Sequence, residues 1–132
     1  MMYQLTLAVL MAGGLAQDQS PRKLIPSLNG KELFGAYCAS CHGLDLKGRG
    51  PVAGSLKNPV PDLTTLTKRR KGKFPVGDLE KMILGNAEAL EVHGSREMPV
   101  WGPVFHRVED DQDFALVRVQ RLVEFIRTKQ AK

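Results

Sequence analysis

Residues 38–43 read Cys38-Ala39-Ser40-Cys41-His42-Gly43. The C-x-x-C-H spacing is that of covalent haem attachment. Two thiols three positions apart at the end of a helix reach the two vinyl groups of one haem and form thioethers. The next residue then presents an imidazole to the iron, and a neutral imidazole nitrogen suits iron well. Two other chemistries use such a pair. A redox disulfide of the thioredoxin type needs a strand before the motif and a parallel sheet around it, and the sequence shows neither. A zinc site would recruit His42, His93 or His106, but these lack the usual paired spacing. The chain has only two cysteines, so a four-cysteine zinc site and a disulfide-dense scaffold are excluded. We therefore read Cys38, Cys41 and His42 as a haem c site, with iron as its metal.

Haem iron has a second axial face, and the candidates for it lie downstream. Met98 sits in Glu97-Met98-Pro99-Val100-Trp101-Gly102. Proline excludes the helical conformation for its predecessor, so Met98 is held extended and its thioether is aimed. Met82 falls on an apolar helical face with Leu79 and Ile83, where core packing is the expected role. His93 and His106 are the remaining rivals. Trp101 is read equally as a neighbour of the cofactor and as a core residue.

The surrounding pattern is helical. Asn29 is placed to cap a helix over Gly30 to about Cys38, with Glu32 completing a capping box and Leu28 and Leu33 a hydrophobic staple. Glycines and prolines punctuate Gly43 to Pro61 too often for long elements. A turn or short helix is expected near Thr64 to Arg70, a helix capped by Asp78 and stopped near Gly85, and a loop from His93 to Pro103. Phe114 to about Thr128 carries Ala115, Val119, Leu122, Val123 and Ile126 at one-face spacing, with Asp110, Asp111 and Asp113 at its favourable end. No strand alternation is evident, so the fold class is all-α. Loops this long in a compact domain make sense when they wrap a bound object.

Length and composition agree with one globular domain: 132 residues, 42% hydrophobic and 25% charged. Aromatic content is only 6%, leaving room in the core for a flat cofactor. Leu5 to Ala16 is an apolar run too short to span a bilayer and is read as part of a signal peptide over residues 1–16, cut after Ala16. An uncleaved anchor is the alternative. Residues 17–27 then form a leader and 28–132 the domain. Export to the periplasm agrees with haem c, which is attached outside the cytoplasm. The net charge of +5 suits anionic partners in general. Nucleic acid is not expected, because no binding motif accompanies the charge. Lys68, Arg69, Arg70, Lys71 and Lys73 form a basic run, read either as a steering patch for an acidic redox partner or as a solvated turn.

The chain resembles the class I c-type cytochromes, of the single-haem bacterial periplasmic kind, over about Leu28 to Lys129. The resemblance rests on Gly30 and Phe34 leading into CASCHG, on Pro61-Asp62-Leu63, on MPVWG around Met98, and on a final helix with Leu122 and Phe125. It implies a small helical domain whose long loops wrap one covalently attached haem. It implies thioethers at Cys38 and Cys41, and His42 and Met98 as axial iron ligands. It implies that Gly30 and Phe34 cross Leu122 and Phe125. A proline carbonyl is expected to support the ligating histidine, with Pro61 the better match to the family pattern and Pro51 nearer in sequence. The implied function is one-electron transfer between redox protein partners outside the cytoplasm, as an electron carrier of a respiratory chain and without catalysis of its own. The mature chain would not span a membrane, and association with a membrane respiratory complex stays open. Two alternatives remain: an electron-entry subunit of a larger oxidase or dehydrogenase, and a ligand-binding or peroxidase-like haem protein with an open iron site.

Overall fold

The computed structural model describes residues 24–85, 97–108 and 112–132, with the side chains of 112 and 113 outside the description. The proposed signal segment, most of the leader, His93, Asp110 and Asp111 therefore lie outside the described residues. Among the described residues there are helices and loops and no strand, which agrees with the all-α expectation. Among them, no helix is long and apolar enough to cross a membrane.

Helix α1 spans Gly30–Leu33. Asn29 caps it as its sequence position predicts, accepting from the Lys31 and Glu32 N–H groups at 3.0 and 3.2 Å. The capping box is replaced by a relay. Glu32 accepts from the Ser27 hydroxyl at 2.7 Å, and that hydroxyl accepts from the Asn29 N–H at 2.9 Å. Leu28 stays 38% exposed beside the fully buried Leu33, so little of a staple forms.

The helix does not stop at Cys38. It widens into a π turn over Phe34–Cys38, where the Ala39 N–H donates to the Phe34 carbonyl, and tightens again as α2, Ala39–His42. A π turn adds a residue to the helical repeat and so rotates the next turn about the axis. Leu33 before it, Phe34 at its start, and Ala39 and His42 after it are all buried.

Beyond the motif come a 3-10 turn at Ala53–Ser55, another at Leu63–Thr65, and α3 at Leu66–Arg69. Helix α4 is Val76–Leu84. It starts two residues before the expected cap. The Pro75 carbonyl accepts the first helical N–H, from Leu79, at 3.1 Å. Asp78 lies in the first turn instead and pairs with Arg70 at 3.1 Å. Helix α5, Gly102–His106, occupies sequence expected to be loop at its start. Pro103 stands in its first turn, where a missing N–H costs nothing.

Helix α6 is Gln112–Thr128. All the residues assigned to its inner face, Ala115, Val119, Leu122, Val123 and Ile126, are buried. Arg118 is fully buried as well, its guanidinium 5.9 Å from the Phe114 ring centroid. The chain end is tied back to the middle of the sequence. Gln130 accepts from the Thr67 N–H at 2.9 Å and donates to the Leu63 carbonyl at 2.8 Å.

Helices α1 and α6 cross at Gly30. A Cβ there would run into the Arg121 carbonyl and stand 2.8 Å from the Phe125 Cβ, so only glycine permits this approach. The Phe34 and Phe125 rings meet at 5.5 Å beside it. This is the crossing that the resemblance implies. Gly30→Ala is expected to destabilise the protein by about 1–3 kcal/mol, the usual cost of overpacking a rigid contact. A lowered urea midpoint at unchanged slope is the check.

Candidate haem-binding site

The motif helix is held by the loop immediately after it. A helix ends with unpaired carbonyls, and here all four of α2 find partners. Gly43 N–H donates to Ala39 at 2.9 Å, Val52 to Ser40 at 3.0 Å, Gly50 to Cys41 at 2.9 Å and Gly48 to His42 at 2.8 Å. The loop thus runs back along the motif. At Gly50 it passes so close that a Cβ would collide with the Ser40 carbonyl. Leu46 adopts φ 62° and is nearly fully buried. The left-handed conformation costs a residue of this kind about 1–2 kcal/mol, and burial of its side chain offsets it. The Leu46 carbonyl then accepts from the Leu63 N–H at 2.8 Å, which lays the Pro61-Asp62-Leu63 segment against the motif loop. Asp62 caps that segment, accepting from the Thr64 N–H at 2.8 Å and hydroxyl at 2.6 Å. These bonds hold its carboxyl below the usual carboxylate range.

His42 is buried. Burial holds its imidazole below the usual histidine pKa, and the Pro61 carbonyl pulls the other way by favouring the proton. Nδ1 is buried and makes no hydrogen bond of standard geometry among the described residues. Pro51, the other candidate support, is exposed. The net result is a neutral imidazole, the form that ligates iron.

Cys38 and Cys41 are free thiols, each half-buried. Burial, reinforced by Cys41, pushes the Cys38 thiol up to about 12. Among the described residues, no group of three or more His, Cys, Asp or Glu side chains could hold a metal ion. The thioredoxin alternative loses its sheet with the absence of strands among the described residues. The donor set therefore fits haem: two free, half-buried thiols beside a buried, neutral imidazole.

Met98 is half-buried and packs against the same hydrophobic core as Phe34, Leu46 and Leu63. Its segment is anchored on both sides. Downstream, the Trp101 N–H donates to the Ile83 carbonyl at 3.0 Å. The Trp101 ring lies 5.4 Å from Tyr37 and 6.1 Å from Phe105. Trp101 is thus part of an aromatic cluster packed on the core. Upstream, Glu97 accepts from the Lys57 N–H at 2.7 Å, and from the Asn58 N–H and side-chain amide at 3.1 Å each. Met82 is half-buried on α4, whose inner face buries Leu79 and Ile83. His106 is exposed at the end of α5.

The basic run surrounds a turn. Lys68, Arg69, Arg70, Lys71 and Lys73 are all exposed. Arg69 donates to the Asp62 carbonyl at 2.7 Å and Arg70 pairs with Asp78. Part of the run is therefore structural. Glu97 and Phe105 carry no motif or periodicity that marks them in the sequence, and Arg118, though spaced with Ala115 and Leu122, is a charged residue that the apolar stripe passes over. Phe105 lies close to two prolines, and the partners of Glu97 are about 40 residues away.

No curated protein and no solved structure matches the chain. A family model, that of cytochrome c, matches residues 27–129. That span includes the thiols, the buried imidazole, Met98 and the α1–α6 crossing. The chain belongs to the cytochrome c family.

Proposed function

We propose that the protein is a single-haem cytochrome c of the class I bacterial kind, which carries one electron at a time between redox proteins outside the cytoplasm. Cys38 and Cys41 form the thioethers, and His42 and Met98 are the axial ligands. The observation that carries this reading is the buried, neutral His42 imidazole, directly after the two thiols, on a helix end whose backbone the 43–52 loop clasps.

Haem, when bound, supplies a one-electron ferric–ferrous couple. The side chains do the rest. Burial keeps the His42 imidazole ready to donate, and the α2 hydrogen bonds keep its backbone fixed. Met98 offers a soft thioether, which favours ferrous iron and raises the potential. With His42 and Met98 as its two protein donors, a bound haem iron would have no position for a substrate, so these residues would favour electron transfer over chemistry at the metal. The core built by Leu33, Phe34, Leu46 and Leu122 excludes water and disfavours the extra charge of the ferric state. The exposed lysines of the basic run, Lys68, Lys71 and Lys73, suit weak, salt-sensitive docking of an acidic partner. Cleavage after Ala16 and residence in the periplasm complete the reading.

A spectroscopic redox titration of the haem-loaded protein tests it. One reversible transition with a one-electron slope is expected, with unchanged ligation in both states. Turnover of peroxide, or ready binding of carbon monoxide by the reduced wild-type protein, would contradict it.

A further inference from the structure

The loop from Gly48 to Pro61 does more than clasp the motif. At its far turn, the consecutive N–H groups of Lys57 and Asn58 converge on the Glu97 carboxylate, one on each oxygen, and the Asn58 side chain adds a third bond. Charge-assisted bonds of this kind are the stronger ones, and paired amides favour an anion. Glu97 directly precedes Met98. We propose that Glu97 is a positioning residue for Met98: its carboxylate straps the ligand segment to the 48–61 loop, and this strap sets how readily Met98 leaves the iron.

The inference rests on Met98 being the ligand. Its force comes from the inequality of the two anchors. Trp101, downstream, is held by a backbone bond and two aromatic neighbours within the core. Pro99 disfavours the helical conformation at Met98, which stands in a bend. Upstream, the anchor is polar and exposed at Lys57 and Asn58. Local opening starts where buried apolar contact is least, which among the described residues is the Glu97 side. Loss of the strap frees Met98 to swing about the Trp101 anchor.

The test uses the haem-loaded ferric protein and cyanide, which binds only after Met98 departs. Glu97→Ala should raise the cyanide association rate roughly tenfold, about what one charge-assisted bond supplies. Amide hydrogen exchange should quicken at Lys57 and Asn58, with helical content and covalent haem unchanged. Glu97→Gln, which keeps a carbonyl acceptor, should fall between. Asp45→Ala, which breaks an exposed pair with Arg49 near the start of the same loop, should leave the cyanide rate alone. If the wild-type protein shows the far-red ferric band of methionine ligation, Met98→Ala abolishes it, and Glu97→Ala binds cyanide at the wild-type rate, the strap is wrong and Met98 stands. If Met98→Ala itself leaves cyanide binding unchanged, the ligand assignment and the strap fall together.

Discussion

Replacing Cys38 and Cys41 together with alanine is expected to leave no covalently bound haem and to remove most of the helical structure. A domain of this size is stable by only about 5–15 kcal/mol. Its core is modest, and the loop that follows the motif is long. Cofactor binding is then folding energy, as it is for small metal-dependent domains. The loop bonds to the Ser40, Cys41 and His42 carbonyls bring Gly43 to Val52 over the motif, but they bury little apolar surface by themselves. Without the thioethers, haem is retained only by axial bonds and packing and is lost by dissociation. Circular dichroism and a haem stain on a denaturing gel read both effects. A cooperatively folding, helical apoprotein from the double variant would show that the chain's own core is sufficient.

Met98→Ala is expected to have the second largest effect. Removing the thioether takes away the soft ligand that favours ferrous iron. The potential should fall by on the order of 100–300 mV, a substantial share of the ~0.8 V that axial ligands span. The ferric protein should lose its far-red band, and the reduced protein should bind carbon monoxide. Truncating a half-buried methionine also costs packing, so the unfolding midpoint should drop. Met82→Ala serves as the comparison. It should lower stability through α4 and leave the potential and carbon monoxide binding as they were. The reverse pattern would make Met82 the ligand.

Local signals are legible wherever the deciding partners lie close in sequence. Asn29 caps its helix as its spacing predicts, and the apolar stripe of α6 is fully buried. C-x-x-C-H is itself local. The Gly30 crossing joins residues far apart in the chain, and only the family resemblance anticipates it. The π turn at Phe34–Cys38 has no composition signal, because it reconciles two buried faces set by tertiary packing. Helix α5 is hidden in the sequence because Pro99 and Pro103 read as loop punctuation, whereas Pro103 sits in a first turn where proline is tolerated. Asp78 has the residue type of a cap, but its charge is used by Arg70. Arg118 falls on the inner face of α6 by spacing, three residues after Ala115 and four before Leu122, but its charge leaves it out of an apolar stripe read from residue type, and α6 buries it. The Glu97 strap depends on a loop whose path no short window of sequence reveals.

Whether Cys38, Cys41, His42 and Met98 together hold one haem c is decided by optical spectra of protein produced with a cytochrome c maturation system, oxidised and then reduced. Haem that survives denaturation is expected, with low-spin bands in both states and a weak far-red ferric band from methionine–iron ligation. Covalent haem without that band would contradict the Met98 assignment, and a protein that acquires no haem would contradict the haem site altogether.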